Sequence, residues 1–388
     1  MKKVARRLER FPEYVFSRLN KVIAEVEKTS GRKVKNFGIG SPDVPPSETY
    51  LAKLNEFFHD KDAHLYPGYS GTPEFKQAVA GWYKKRFGVD IAAEEILPLL
   101  GAKDGVAHLP LALADEGDEI LVPDPGYPGF SGTALLMGAK PVPYGSFDEL
   151  EQKITDKTAF VWVNFPSNPT GAVATKEELA KIVALAKKRG VYIVYDNAYS
   201  EITFDGFVAP SILEIEGAKD VAVELGSFSK TFSFAGYRMG WIVGNKDVVD
   251  ALAKVKSQAD SGMSLPLQRL GAFALSNQDK VWHEKMVATY KERRDVIAAK
   301  LRGLGLTFDP PAGGPKGSLY LWAKIPDSAK PARPDDSGRS GGDSESYVLD
   351  LLKEKHVFFA PGSAFGANGD RYVRVSICVD ISDIDSYL

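Results

Sequence analysis

The middle of the chain alternates between two hydrophobic patterns. Glu119-Ile-Leu-Val-Pro123, Ala159-Phe-Val-Trp-Val163, Val191-Tyr-Ile-Val-Tyr195 and Val221-Ala-Val-Glu-Leu225 are short, nearly continuous apolar runs, the form that parallel strands covered on both faces require. Segments of helical period lie between them. Phe75, Val79, Trp82 and Tyr83 recur at that period behind the capping Thr72 and first-turn Pro73, and the pattern stops at Gly88. Thr175 and Glu178 form a capping box ahead of Leu179, Ile182, Val183 and Ala186, and Gly190 ends that helix. This alternation predicts an α/β fold whose helical faces cover a mainly parallel sheet.

Nearer the C-terminus the pattern changes. Two strand-like runs, Gly317-Ser-Leu-Tyr-Leu-Trp-Ala323 and Tyr372-Val-Arg-Val-Ser-Ile377, flank the polar, Gly/Pro-rich stretch 329–344, which cannot build a core and is expected to be an exposed, mobile loop. At 388 residues the chain exceeds one ordinary hydrophobic core. Two domains are therefore expected: a large αβα unit at 46–285, and a smaller α+β unit assembled from 1–45 and 286–388.

Composition narrows the function classes. With 44% apolar and 26% charged residues the chain reads as a soluble globule, and a net charge of −2 with mixed signs argues against a nucleic-acid or anionic-membrane surface. No apolar run reaches the roughly 18 residues of a membrane span, and the basic start leads into no signal-length stretch, so a cytoplasmic protein is expected. A single cysteine, Cys378, excludes an internal disulfide and reads as a small core residue on the strand after Arg374. No Cys/His spacing offers a zinc site.

The candidate chemistry starts where the apolar runs stop. After Val221–Leu225 comes Ser227-Phe-Ser229-Lys230, with Arg238 eight residues on. Alone, Lys230 would pass for an exposed lysine. In a strand-end loop its amine can form a Schiff base with an aldehyde, while hydroxyls and a guanidinium suit a phosphate ester, and pyridoxal 5′-phosphate carries both groups. The run 159–163 leads into the turn Asn164-Phe-Pro-Ser-Asn168-Pro-Thr-Gly171, and the run 191–195 leads into Asp196-Asn-Ala-Tyr199. A carboxylate facing a pyridine nitrogen keeps it protonated, and amide and phenol donors can hold the ring's 3′ oxygen.

With these motifs in order, the chain resembles the class I/II aminotransferases of pyridoxal-phosphate fold type I over nearly its full length. The resemblance implies that Lys230 is the Schiff-base lysine, that Asp196 partners the pyridine nitrogen, and that Asn168 and Tyr199 contact the 3′ oxygen. It places Ser227, Ser229 and Arg238 on the phosphate. Gly101-Ala102-Lys103-Asp-Gly looks like the phosphate-cradling turn, which adds Ala102 and Lys103, and Tyr127 of Asp124-Pro-Gly-Tyr127 looks like the aromatic residue stacked on the ring. Arg374 resembles the arginine that grips the substrate α-carboxylate, beside Asn168 and with Gly40 of Asn36-Phe-Gly-Ile-Gly40 allowing close approach. Tyr66, in His64-Leu-Tyr66-Pro-Gly-Tyr, resembles the residue lent to a neighbouring subunit's phosphate site, which implies a homodimer. The segment Lys254–Gly262 resembles one in LL-diaminopimelate aminotransferases.

The activity so implied is ping-pong transamination between an L-amino acid and a 2-oxo acid, 2-oxoglutarate by family habit. The same fold and lysine also serve β-lyases, decarboxylases and condensing synthases, which motifs that hold the cofactor do not separate. A nucleotide-binding loop at Gly226–Thr231 is excluded, since the glycine before the lysine and the four-residue spacing are both missing.

Overall fold

The computed structural model describes residues 5–10, 15–308, 315–329 and 343–388. Its strands, in chain order, are β1 (Lys35–Asn36), β2 (Ile96–Leu99), β3 (Glu119–Pro123), β4 (Lys140–Tyr144), β5 (Thr158–Asn164), β6 (Tyr192–Asp196), β7 (Ala222–Ser227), β8 (Gly240–Gly244), β9 (Tyr320–Lys324), β10 (Val357–Phe358), β11 (Ala360–Pro361) and β12 (Tyr372–Ser376). The large sheet has the order β2-β8-β7-β6-β5-β3-β4. Strands β3 to β7 run parallel, and β8 is antiparallel to both β7 and β2.

Both faces of this sheet are covered because every second residue of each apolar run faces the opposite way. Val161, Val163, Ile193 and Tyr195 join Phe75, Val79, Leu179, Ile182 and Ala186 in one cluster. Phe160, Trp162, Val194, Val223 and Leu225 join Val106, Leu109, Val248 and Leu252 in another. Each Val, Leu, Ile or Phe among them stabilises the fold by about 1.5–3 kcal/mol when fully buried, so a polar residue in either row would unseat a helix layer. The helices begin and end where their signals fall. Thr72 accepts from the Phe75 N–H ahead of Pro73–Phe87, which closes on left-handed Gly88. Thr175 and Glu178 satisfy each other's backbone N–H groups, and Lys176–Arg189 closes on Gly190.

A second, antiparallel sheet of order β11-β12-β9 lies with the β1-β10 pair around a third cluster, which includes Phe37, Tyr290, Ile297, Tyr320, Leu321, Val373 and Val375. β12 is its middle strand, so Arg374 is flanked by Trp322 on one side and Ala360 on the other. Among the described residues no helix is long and apolar enough to cross a membrane.

Two local expectations shift, and a third is not tested. Lys230 sits on a one-turn helix, Phe228–Thr231, because Ser227 caps the chain as it leaves β7 by accepting from the Ser229 N–H. Cys378 is buried but lies two residues beyond the end of β12, its N–H donating to Ser376 Oγ. Of the polar stretch 329–344, residues 330–342 lie outside the described residues.

Candidate active site

Strands β5, β6 and β7 end side by side, and the residues that follow them meet in one cavity of about 410 Å³. Register aligns the ends: Asn164 pairs with Asp196, and Asp196 pairs with Leu225. The carboxyl edge of parallel strands is where open α/β sheets form crevices, since the strands stop together while the connections diverge.

Lys230 enters this cavity half-buried, with its Nζ donating to the Gly40 carbonyl at 3.1 Å and lying 5.6 Å from the Tyr199 ring centre. Burial pushes its pKa down to about 8; Arg374 and Arg238 push the same way, while Cys378 and Asp196 oppose them. The result is an amine poised to lose its proton near neutrality. Asp196 is 8% exposed, and burial pushes its carboxyl up to about 6 against the Ala198 N–H bond and the Lys230 charge. One cavity thus holds an amine and a carboxylate, each less charged than usual, the pattern of a site built around a reacting group.

At one end stand the groups suited to an anion. Ala102 and Lys103 open the helix Ala102–Leu113, whose first-turn N–H groups favour negative charge. Its cap, Gly101, has a left-handed φ of 82°, and a Cβ there would lie 2.6 Å from an Arg238 guanidinium nitrogen. That glycine lets Arg238 cross the helix terminus. Arg238 is fixed by donating to the Ala235 carbonyl at 2.7 Å, and the Ser227 and Ser229 hydroxyls line the same end. Tyr127 lines the wall, its ring 6.0 Å from Lys103 Nζ.

At the other end Arg374 is nearly buried. It donates to Asn168 Oδ1 at 2.9 Å and to the Gly38 carbonyl at 2.7 Å, while its Nε–H has no partner in the described structure. Asn168 is itself held through Asn164, which accepts from the Asn168 N–H and donates to the Asp196 carbonyl, both at 2.9 Å. Tyr199 shares a hydrogen bond with Tyr320 at 3.0 Å, and burial pushes its phenol well above the ordinary range.

The structure therefore brings Gly40, Ala102, Lys103, Tyr127, Asn168, Asp196, Tyr199, Ser227, Ser229, Lys230, Arg238 and Arg374 to one cavity. Tyr66 is not among its lining residues and is 87% exposed. Sequence reasoning missed Asn164 as the bolt between two turns, and missed Tyr320, whose ring packs 4.2 Å from the Arg374 guanidinium. Gly40 is explained by the same tyrosine: a Cβ there would meet the Tyr320 hydroxyl at 2.1 Å. Sequence patterning marks Tyr320 only as a strand residue.

The donor set suits a phosphorylated pyridine aldehyde. A half-buried amine without a salt-bridge partner among the described residues, a buried carboxylate, a wall phenol and an anion-binding end are all present.

Comparison with known proteins agrees in sequence and in fold. Residues 32–388 match the family described as aminotransferase class I and II. The LL-diaminopimelate aminotransferase of Halothermothrix orenii is 36% identical over 97% of this chain and 94% of that protein. An aminotransferase from Staphylococcus aureus superposes with a TM-score of 0.85 at 31% identity, covering 98% of this chain and 96% of the other. The aspartate aminotransferase of Rhizobium meliloti superposes with a TM-score of 0.90 at 26% identity, covering 100% and 97%.

Proposed function

This chain belongs to the class I and II aminotransferase family and is a pyridoxal-phosphate-dependent transaminase of fold type I; we propose that it moves the amino group of an L-amino acid to 2-oxoglutarate. The observation that carries the proposal is the shared cavity of Lys230, Asp196 and Arg374, in which the Arg374 Nε–H has no partner among the described residues.

Pyridoxal phosphate, when bound, supplies the aldehyde that exchanges amines and a ring that accepts the electron pair released at the substrate Cα. Ala102, Lys103, Ser227, Ser229 and Arg238 would hold its phosphate, Tyr127 would cover its ring, and Asn168 and Tyr199 would hold its 3′ oxygen. Asp196 would face the ring nitrogen and keep it protonated. Lys230, its pKa lowered to about 8 by burial, is the group to take the Cα proton and return it during the exchange. Arg374 would grip the α-carboxylate through two parallel N–H donors and so fix which Cα bond faces the acceptor. Since Arg374 already shares hydrogen bonds with Asn168 and Gly38, the substrate meets a guanidinium that is held in place.

For the donor we propose a diamino dicarboxylic acid of the LL-diaminopimelate kind. The supports are the 36%-identical relatives that carry that name and the likeness of Lys254–Gly262 to a segment in that group. We further propose a homodimer in which Tyr66 serves the neighbour's phosphate site, supported by the exposure of Tyr66 and its place outside its own chain's cavity. A screen of amino donors against 2-oxoglutarate tests the substrate. LL-diaminopimelate should give the highest kcat/KM; faster turnover of aspartate, alanine or an aromatic amino acid would contradict the narrower reading and leave the transaminase intact.

A further inference from the structure

Beneath the anion-binding end lies a cluster that the transamination chemistry does not use. Lys256, on the helix Lys246–Ala259, is only 2% exposed and makes ion pairs with both Asp104 and Asp260. Its contact with Asp260 is 2.6 Å. Asp104 belongs to the first turn of the helix Ala102–Leu113, and its Oδ2 also accepts from the Leu100 N–H at 2.8 Å, so its carboxylate shapes the turn that carries Ala102 and Lys103. His108, one helical turn on, contacts Asp104 Oδ1 at 2.6 Å. Asp104, His108 and Asp260 have the proximity of metal ligands. Lys256 already provides the cation among them.

A carboxylate at this position presents a problem. It caps the turn well, yet it stands in the first turn of a helix whose N-terminus is proposed to receive a phosphate, and a buried like charge opposes an incoming anion through a poorly screening interior. Removing that charge's partner exposes the full repulsion. Asp260 in turn accepts from the Gly262 N–H at 2.7 Å, and a Cβ on Gly262 would meet the Gly68 carbonyl at 2.4 Å. The cluster is therefore packed against the loop that bears Tyr66.

We propose that Lys256 is a positioning residue for the phosphate site: it neutralises the capping carboxylate of Asp104, so that the turn keeps its shape without repelling the anion it binds. This rests on the pyridoxal-phosphate reading above. Lys256 touches neither the cofactor site nor substrate, since it is absent from the cavity lining.

The test compares pyridoxal 5′-phosphate, pyridoxal lacking the phosphate, and inorganic phosphate, each titrated into apo-protein by calorimetry. Lys256→Met should weaken both phosphate-bearing ligands by about tenfold or more while pyridoxal changes by less than about twofold, because the lesion is electrostatic and local to the phosphate. The triple variant Asp104→Asn, Asp260→Asn, Lys256→Met removes all three charges of the cluster and should recover phosphate affinity to within about threefold of the parent. Equal loss on all three ligands, or no loss on any, would overturn the proposal. Should Lys256→Met fail to fold, Asp104→Asn decides alone: it removes the buried like charge and leaves Lys256 paired with Asp260, so both phosphate-bearing ligands should bind tighter while pyridoxal changes by less than about twofold, and unchanged or weaker phosphate binding rejects charge cancellation. Failure of the parent protein itself to form a borohydride-trappable bond with pyridoxal phosphate would count against the functional reading, while the inorganic phosphate titration would still score Lys256.

Discussion

The ring of Tyr320 lies 4.2 Å from the guanidinium carbon of Arg374, with Phe365 at 4.6 Å supplying a second aromatic surface. The guanidinium is thus clamped by two rings, by Asn168 and by the Gly38 carbonyl, and its remaining donor capacity is directed by that clamp. A lysine reproduces neither the planar stacking nor paired N–H donation. Arg374→Lys should therefore raise KM for every amino and oxo acid by about tenfold to a hundredfold, as expected for loss of a charge-assisted bidentate contact. Steady-state kinetics with several donors would check it. A defect confined to one substrate would make Arg374 a reader of side chains.

Tyr320 should matter through its hydroxyl as well. That group is shared with Tyr199 at 3.0 Å and lies 3.4 Å from the Gly40 carbonyl. Tyr320→Phe keeps the ring under Arg374 and removes the bond to Tyr199, so KM should change little while the pH dependence of the holoenzyme's visible absorbance shifts. An unchanged absorbance titration would leave Tyr320 with only its stacking role.

Asp196 links catalysis to stability with opposite signs. Its folded pKa, about 6, is well above the ordinary aspartate range because burial penalises the ionised form. A group shifted this way contributes stability at pH below its unfolded pKa, and that contribution is lost as pH rises through about 6. Asp196→Asn removes the buried charge, so the apo-variant should melt a few degrees higher than the parent at about pH 8, an upper bound of ~2–3 kcal/mol, and show no gain at about pH 4. Turnover should fall far more than cofactor affinity, because the charge acts on the ring nitrogen during the reaction. Differential scanning calorimetry at the two pH values, paired with kinetics, reads both. A lower melting temperature at about pH 8 would assign Asp196 a structural role.

The Lys230 amine should titrate apart from the other lysines. Burial holds its pKa at about 8, with Arg374 and Arg238 adding to the shift. In apo-protein an amine-directed acylating reagent should label Lys230 with a rate that climbs through about pH 8, while exposed lysines climb only near their usual pKa of about 10.4. Peptide mapping across a pH series makes the comparison. Parallel profiles would place Lys230 in water rather than in the cavity.

Shared sites would show in mixtures. If Tyr66 serves the neighbouring phosphate site, then Lys230→Ala and Tyr66→Asp, each inactive alone, should regain activity when subunits exchange, because one site of the mixed dimer then carries neither lesion. Mass spectrometry confirms the exchange. No recovery in a confirmed mixed dimer would return Tyr66 to its own chain.

Sequence made the sheet legible because burial on both faces forces continuous apolar runs, as at 159–163 and 191–195, with turn residues marking each end. Much of the candidate site could be read for a related reason. Asp196 and Ser227 close β6 and β7, and Tyr199 and Lys230 follow within three residues, so local motifs carry them. What stayed hidden depends on long-range approach. Tyr320 acquires its place only by meeting Gly40, 280 positions away, and Lys256 only by meeting Asp104, 152 positions away. Neither contact leaves a periodic or spaced signal. The short helix under Lys230 was hidden as well, because one turn is too brief to show a period.

The central claim is that Lys230 is the residue that bonds the cofactor and carries the proton. Borohydride reduction of the holoenzyme, followed by proteolysis and mass spectrometry, tests it most directly. The expected result is a single pyridoxyl-phosphate adduct on the peptide containing Lys230, absent from Lys230→Ala together with nearly all turnover. An adduct on a different lysine, or a Lys230→Ala protein that still traps cofactor and turns over, would contradict it.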